Sequence, residues 1–130
     1  MNEDFVPYEL AVKLKEKGFT CEYPFAMYNK YEQFCPLYTS DKYHFEIDDF
    51  STPDYIAPTI SQVLKWLREE HQIHIYIDIV SAGWVYNVLI NVKKFEDGTW
   101  WYNGVKEEGY FDSFEQTSLA GIEYVIDNLI

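Results

Sequence analysis

Residues 57–92, APTISQVLKWLREEHQIHIYIDIVSAGWVYNVLINV, decide the fold, because their apolar spacing switches from a helical to a strand period partway along. Thr59 follows Pro58 and stands three residues before Gln62, the spacing at which a hydroxyl and an amide cap each other's backbone donors, so a helix is expected to start there. Ile60, Val63, Leu64 and Leu67 then fall on one face, with Gln62, Lys65, Arg68 and Glu69 on the other. Trp66, at the border of the stripe, is read as core packing rather than as a ligand-facing ring. After Gln72 the period becomes two: Ile73, Ile75, Ile77 and Ile79 alternate with His74, Tyr76 and Asp78, which puts the isoleucines on one sheet face. Ser81-Ala82-Gly83 interrupts the pattern. Trp84, Tyr86, Val88, Ile90 and Val92 resume it, with Asn87, Asn91 and Lys93 opposite. So short a connection requires an antiparallel neighbour, since a parallel return needs a crossover of about a dozen residues.

Towards the N-terminus, Pro7 suits a first helical turn and Leu10, Ala11 and Leu14 give it an apolar face. Gly18 is placed to end that helix in the left-handed conformation and to let Phe19 fold back on Leu14. Residues 20–57 are punctuated by Pro24, Pro36 and Pro53. Short strands are expected there, at Phe25-Ala26-Met27-Tyr28 and where Tyr43, Phe45 and Ile47 alternate with His44 and Glu46, before a loop from Asp48 to Ala57.

Beyond Val92, Asp97-Gly98 between Lys94-Phe95-Glu96 and Thr99-Trp100-Trp101-Tyr102 predicts a tight hairpin and a third meander strand. Asn103-Gly104 and Gly109 are expected to loosen the chain up to Ser113, whose spacing to Gln116 repeats the capping pattern. The last helix has Leu119, Ile122, Val125, Ile126 and Leu129 as its stripe, and Gly121 within it suggests close approach of another backbone. The expected fold is α+β and two-layer, a single domain over residues 1–130. Its antiparallel sheet has about three to five strands with helices packed on one face, in the order α-β-β-α-β-β-β-α.

The chain carries 22 acidic and 10 basic residues, a net charge of −12, and aromatics make up 19% of it. An acidic surface without a basic stripe disfavours nucleic acid and anionic membranes as partners. No stretch approaches a membrane span, and Met1-Asn2-Glu3-Asp4 lacks the positive, apolar start of a secretion signal, so a cytoplasmic location is expected. Cys21 and Cys35 are then most simply thiols.

His71 and His74 with the two cysteines do not make a zinc pattern, because the cysteines lack the close C-x2-4-C pairing and His71 suits a helix C-terminus as a cation. Glu46, Asp48, Asp49 and Asp54 lack the spacing of a calcium loop and read as a solvated acidic loop. No nucleophile elbow, zincin, phosphate-loop or dinucleotide motif occurs, so no catalytic residue, metal or cofactor is expected. Trp100, Trp101 and Tyr102 are different: consecutive strand residues point to alternating faces, so one core cannot bury all three. With Tyr86 and Tyr76 they form the candidate interaction surface, suited to another protein or to a second copy of the chain.

Several of these stretches recur together in one known pattern. Leu14 to Phe19 (L-x-x-K-G-F), Ala57 to Thr59 (A-P-T), Trp66 to Ile75 (W-L-R-E-x-H-x-I-x-I), the aromatic strand at Trp84 to Tyr86 and Phe111 to Thr117 (F-D-S-F-E-x-x) resemble a family of small proteins of bacteria, their phages and mobile elements. The likeness spans nearly the whole chain, apart from the Tyr- and Phe-rich segment from Tyr23 to Tyr55. It implies a bacterial or phage cytosolic setting and brings no assigned activity with it.

Three functional classes follow. The preferred one is a non-catalytic interaction module that binds a protein through aromatic anchors inside an acidic rim. The alternative is an acidic mimic of nucleic acid that inhibits a DNA-binding enzyme, its face drawn from Glu107, Glu108, Asp112, Glu115, Glu123 and Asp127. The third, an enzyme or small-ligand binder, would need a deep tyrosine-lined pocket with a perturbed His or Asp.

Overall fold

The computed structural model describes residues 4–21, 24–29, 31–36 and 55–130. The fold is α+β, and the chain divides into two compact units, Met1–Thr59 and Ile60–Ile130. The strand expected at Tyr43 to Ile47 and the acidic residues Glu46, Asp48, Asp49 and Asp54 lie outside the described residues.

In the first unit, helix α1 (Tyr8–Glu16) starts after Pro7, which is its N-cap rather than its first turn, and buries Leu10, Ala11 and Leu14. Its end is the expected one. Gly18 takes φ +87°, its N–H donates to the Lys15 carbonyl at 3.1 Å, and the Phe19 N–H donates to the Leu14 carbonyl at 3.0 Å. This is the paired-bond terminator that brings buried Phe19 back over Leu14. Strands β1 (Ala26–Tyr28) and β2 (Phe34–Pro36) form a hairpin, and β3 (Tyr55–Ile56) pairs with the other edge of β1, in the order β2-β1-β3. The predicted strand at 25–28 is therefore present, but Tyr55–Ile56 is strand where a loop was expected. None of these strands joins the meander, which keeps three strands, the lower end of the expected three to five. The Tyr28 hydroxyl donates to the Val6 carbonyl at 2.6 Å, and burial, with the Glu9 carboxylate second, raises its pKa.

The second unit is built as the central stretch dictates. Helix α2 (Ile60–His71) buries Ile60, Val63, Trp66 and Leu67. Trp66 is buried, as its reading as core packing expects, whereas Leu64 is only half-buried; the Trp66 ring meets His71 edge-on at 4.7 Å. Strands β4 (His74–Val80), β5 (Gly83–Lys94) and β6 (Trp100–Phe111) form the antiparallel meander, order β4-β5-β6. Ile75 stands opposite Val88 and Ile77 opposite Tyr86. Ile73 and Ile75 are buried, but the row runs out at Ile79, 60% exposed. The isoleucine seam is thus real at its start and open at its end.

Strand β6 runs through Asn103, Gly104 and Gly109, where a loosened segment was expected. Pairing with β5 holds it, with register shifts between Trp84 and Val85, Val88 and Leu89, and Ile90 and Lys93. Helix α3 (Phe114–Asn128) begins as predicted: the Gln116 N–H donates to Ser113 Oγ at 3.1 Å, while Gln116 Oε1 accepts from the Asp112 N–H at 3.1 Å. It buries Ile122, Val125 and Ile126. Gly121 sits against the side chains of Ile75 and Tyr86 rather than against another backbone. Among the described residues no helix is long and apolar enough to cross a membrane.

Candidate functional site

The far end of the β5–β6 hairpin is set up by its turn. The Gly98 N–H donates to the Phe95 carbonyl at 3.0 Å and the Phe95 N–H to the Thr99 carbonyl at 2.8 Å, with Gly98 at φ +91°. This three-residue loop suits the Asp97-Gly98 pair. Asp97 Oδ1 accepts from the Thr99 hydroxyl at 2.6 Å and from its N–H at 2.9 Å, and these bonds, the hydroxyl's first, hold the carboxyl below its ordinary pKa.

Beyond this turn Trp100 is 61% exposed, Trp101 60% and Tyr102 53%. Trp101 pairs with Lys93 and Trp100 with Lys94, so the two indoles leave opposite faces of the ribbon. Phe95 meets Trp101 edge-on at 5.9 Å, and Lys93 Nζ lies 5.5 Å from the centre of the Phe95 ring. The expectation that one core cannot hold the trio is met by leaving all three rings out of it.

A cleft of about 420 Å³ opens beside them, lined by Gln72, Asn91, Val92, Lys93, Phe95, Trp101, Tyr102 and Asn103. Its shape follows from local backbone geometry. Gln72 and Asn91 have φ of +54° and +55°, conformations that Asn tolerates better than most residues and that Gln adopts only under constraint. The Val92 N–H donates to the Gln72 carbonyl at 3.0 Å, tying the α2–β4 connection to the bulged part of β5. With the register shift between Ile90 and Lys93, Asn91 and Asn103 line the same opening as Phe95, Trp101 and Tyr102.

The other two candidate residues are elsewhere. Tyr86 is only 3% exposed, so it is not part of a surface. Its ring lies 6.3 Å from that of Tyr124 on α3, because β5 presents this residue to the helix layer. Its hydroxyl faces Glu108 Oε2 at 3.5 Å, and burial, then that carboxylate, push its pKa up to about 12. Lys106 Nζ bridges to the same carboxylate at 3.3 Å. Tyr76 is 45% exposed and pairs with Asn87. Since Trp101 pairs with Lys93, the two residues are offset by roughly 20 Å along the sheet at about 3.3 Å per strand residue.

The remaining chemistry does not converge. Cys21 and Cys35 are both half-buried thiols, and no group of three potential metal ligands occurs among the described residues. Burial, with the Arg68 charge second, lowers the pKa of His74. Of the acidic residues after Lys106, Glu107 and Glu108 leave opposite faces of β6, which spreads that charge over the ribbon. The sequence reading missed Gln72, Asn91 and Asn103, and only the unusual placing of two asparagines along paired strands could have pointed to them. Compared with protein-family models, curated proteins and solved structures, the chain matches none.

Proposed function

We propose that the protein is a non-catalytic interaction module whose contact surface is the aromatic end of the β5–β6 hairpin. One observation carries the reading: Trp100 and Trp101 are 61% and 60% exposed on a paired strand. Rings of this kind dominate interface energetics and are a liability on a surface that binds nothing. They stand on a ladder rather than on a loose loop, which keeps their conformational cost on binding low. The cytoplasm of a bacterium, or of one carrying a phage, is the proposed setting, and a second copy of this chain is one admissible partner.

The test is affinity capture from the native host with the wild-type chain and with a Trp100→Ala/Trp101→Ala variant, alongside sedimentation of both. A stoichiometric protein partner, or a dimer, lost in the variant while its circular dichroism is unchanged supports the proposal. A partner or dimer retained equally by the variant contradicts it.

A further inference from the structure

We infer that Asp78 keeps the outer edge of β4 closed, and that without its carboxylate a second copy of this chain adds to that edge as an antiparallel strand. The inference is independent of the hairpin-end reading. Among the described residues β4 is paired on one side only, with β5. Val80 faces Gly83 across the Ser81-Ala82 turn, which makes theirs a hydrogen-bonded pair, and alternation then turns the backbone groups of Ile79, Ile77 and Ile75 outward. The Ile79 N–H agrees: it donates to Asp78 Oδ1 at 2.8 Å.

This edge lacks the usual devices against pairing. Its register with β5 is unbroken from His74 to Val80, and it holds no proline, glycine or lysine. The other edge, β6, is interrupted by register shifts and carries Lys106, Glu107 and Glu108. Tyr76, Ile79 and Val80 stand exposed on β4. What remains is Asp78. Its Oδ1 occupies the place where the carbonyl of an added strand accepts the Ile79 N–H, and the Tyr76 hydroxyl faces its Oδ2 at 3.4 Å. Its charge also opposes the approach of another chain of net charge −12.

The occupant follows from the strand itself, HIYIDIV. A two-fold axis at Ile77 sets Ile75 against the second copy's Ile79 and Ile77 against its own counterpart, so every outward isoleucine exchanges both backbone bonds. The helices of both copies then lie on the same face of one continuous sheet, β6-β5-β4-β4-β5-β6. Centring the pair on Tyr76 or on Asp78 shortens the ladder, and the latter sets two carboxylates directly opposite each other.

The experiment is sedimentation equilibrium with amide hydrogen exchange, read residue by residue by NMR, on the full chain and on Asp78→Ala over about a hundredfold range of concentration. In the wild type the Ile77 amide should exchange quickly at every concentration. In Asp78→Ala a dimer is expected to form as concentration rises, with exchange at Ile77 slowed about tenfold or more. Asp78→Ala/Ile79→Lys should lose both effects, because an edge lysine opposes pairing. Asp78 is exposed, so its substitution removes no core packing; Asp78→Thr, with a better strand former, serves if the alanine chain does not fold. A wild-type Ile77 amide that slows with concentration overturns the inference, as does one that stays fast throughout in Asp78→Ala, or slowing that survives Ile79→Lys. Association through the hairpin end leaves the Ile77 amide fast, so the two readings stand or fall separately.

Discussion

Gly121 on α3 lies so close to Ile75 on β4 that a Cβ at position 121 would stand 3.0 Å from Ile75 Cγ2, with the Tyr86 ring at 3.3 Å. The absence of a side chain there is what lets the last helix seat on the sheet. Gly121→Ala gains up to about 1 kcal/mol of helix propensity and loses about 1–3 kcal/mol to overpacking, so a net destabilisation of about 1 kcal/mol is expected. Gly121→Val should cost more, and Ile75→Leu, which lacks the Cγ2 methyl, should recover part of the loss in the alanine background. Urea unfolding of the four chains checks the order.

Ser118 is wholly buried on α3, and its hydroxyl finds no hydrogen-bond partner among the described residues. An orphaned buried hydroxyl costs about 1–3 kcal/mol, and alanine is the better helix former. Ser118→Ala is expected to stabilise the protein by about 1 kcal/mol, read as a higher denaturant midpoint at unchanged slope.

The lowered pKa of His74, caused first by burial and then by Arg68, fixes a sign. The unfolded chain takes up this proton more readily than the folded one, so stability is complete above the ordinary histidine pKa of about 6.5 and falls as pH drops below it. Thermal melts at pH 7.5 and pH 5.5 should differ by less in His74→Gln than in the wild type.

The Tyr86 hydroxyl gives the opposite dependence at the alkaline end. Its pKa stands at about 12, against about 10 in the unfolded chain. Between these values the unfolded state has lost a proton that the folded state keeps, so stability falls as pH rises past about 10. Glu108→Gln removes the adjacent carboxylate and should bring the Tyr86 ring signal, followed by carbon NMR of labelled tyrosine, to a lower titration midpoint. Tyr86→Phe identifies that signal by its loss.

The parts of this fold that sequence makes legible are those where one period persists. The helix from Ile60 and the isoleucine alternation from Ile73 are visible because each repeats long enough to define a face, and Ser113 with Gln116 marks a helix start by spacing alone. A two-residue strand such as Tyr55–Ile56 carries no period. Trp66 was legible as core packing, but Leu64 is only half-buried, because a stripe border is set by the neighbour it meets, not by the helix itself. The rings at 100–102 were legible as unburiable together; that Tyr86 was not one of the surface group depended on α3 lying over it. That Gln72, Asn91 and Asn103 line one cleft was hidden, because it depends on a bulge and two left-handed residues, and neither leaves a mark in hydropathy.

The central claim is that the rings at the hairpin end serve binding while the face under α3 serves folding. Equilibrium urea unfolding of Trp100→Ala/Trp101→Ala beside Val88→Ala, whose side chain is completely buried, separates the two roles. The indole variant is predicted to lie within about 0.5 kcal/mol of the wild type, and the valine variant to lose about 2 kcal/mol or more. A loss above about 2 kcal/mol in the indole variant would make those rings part of the fold and contradict the claim.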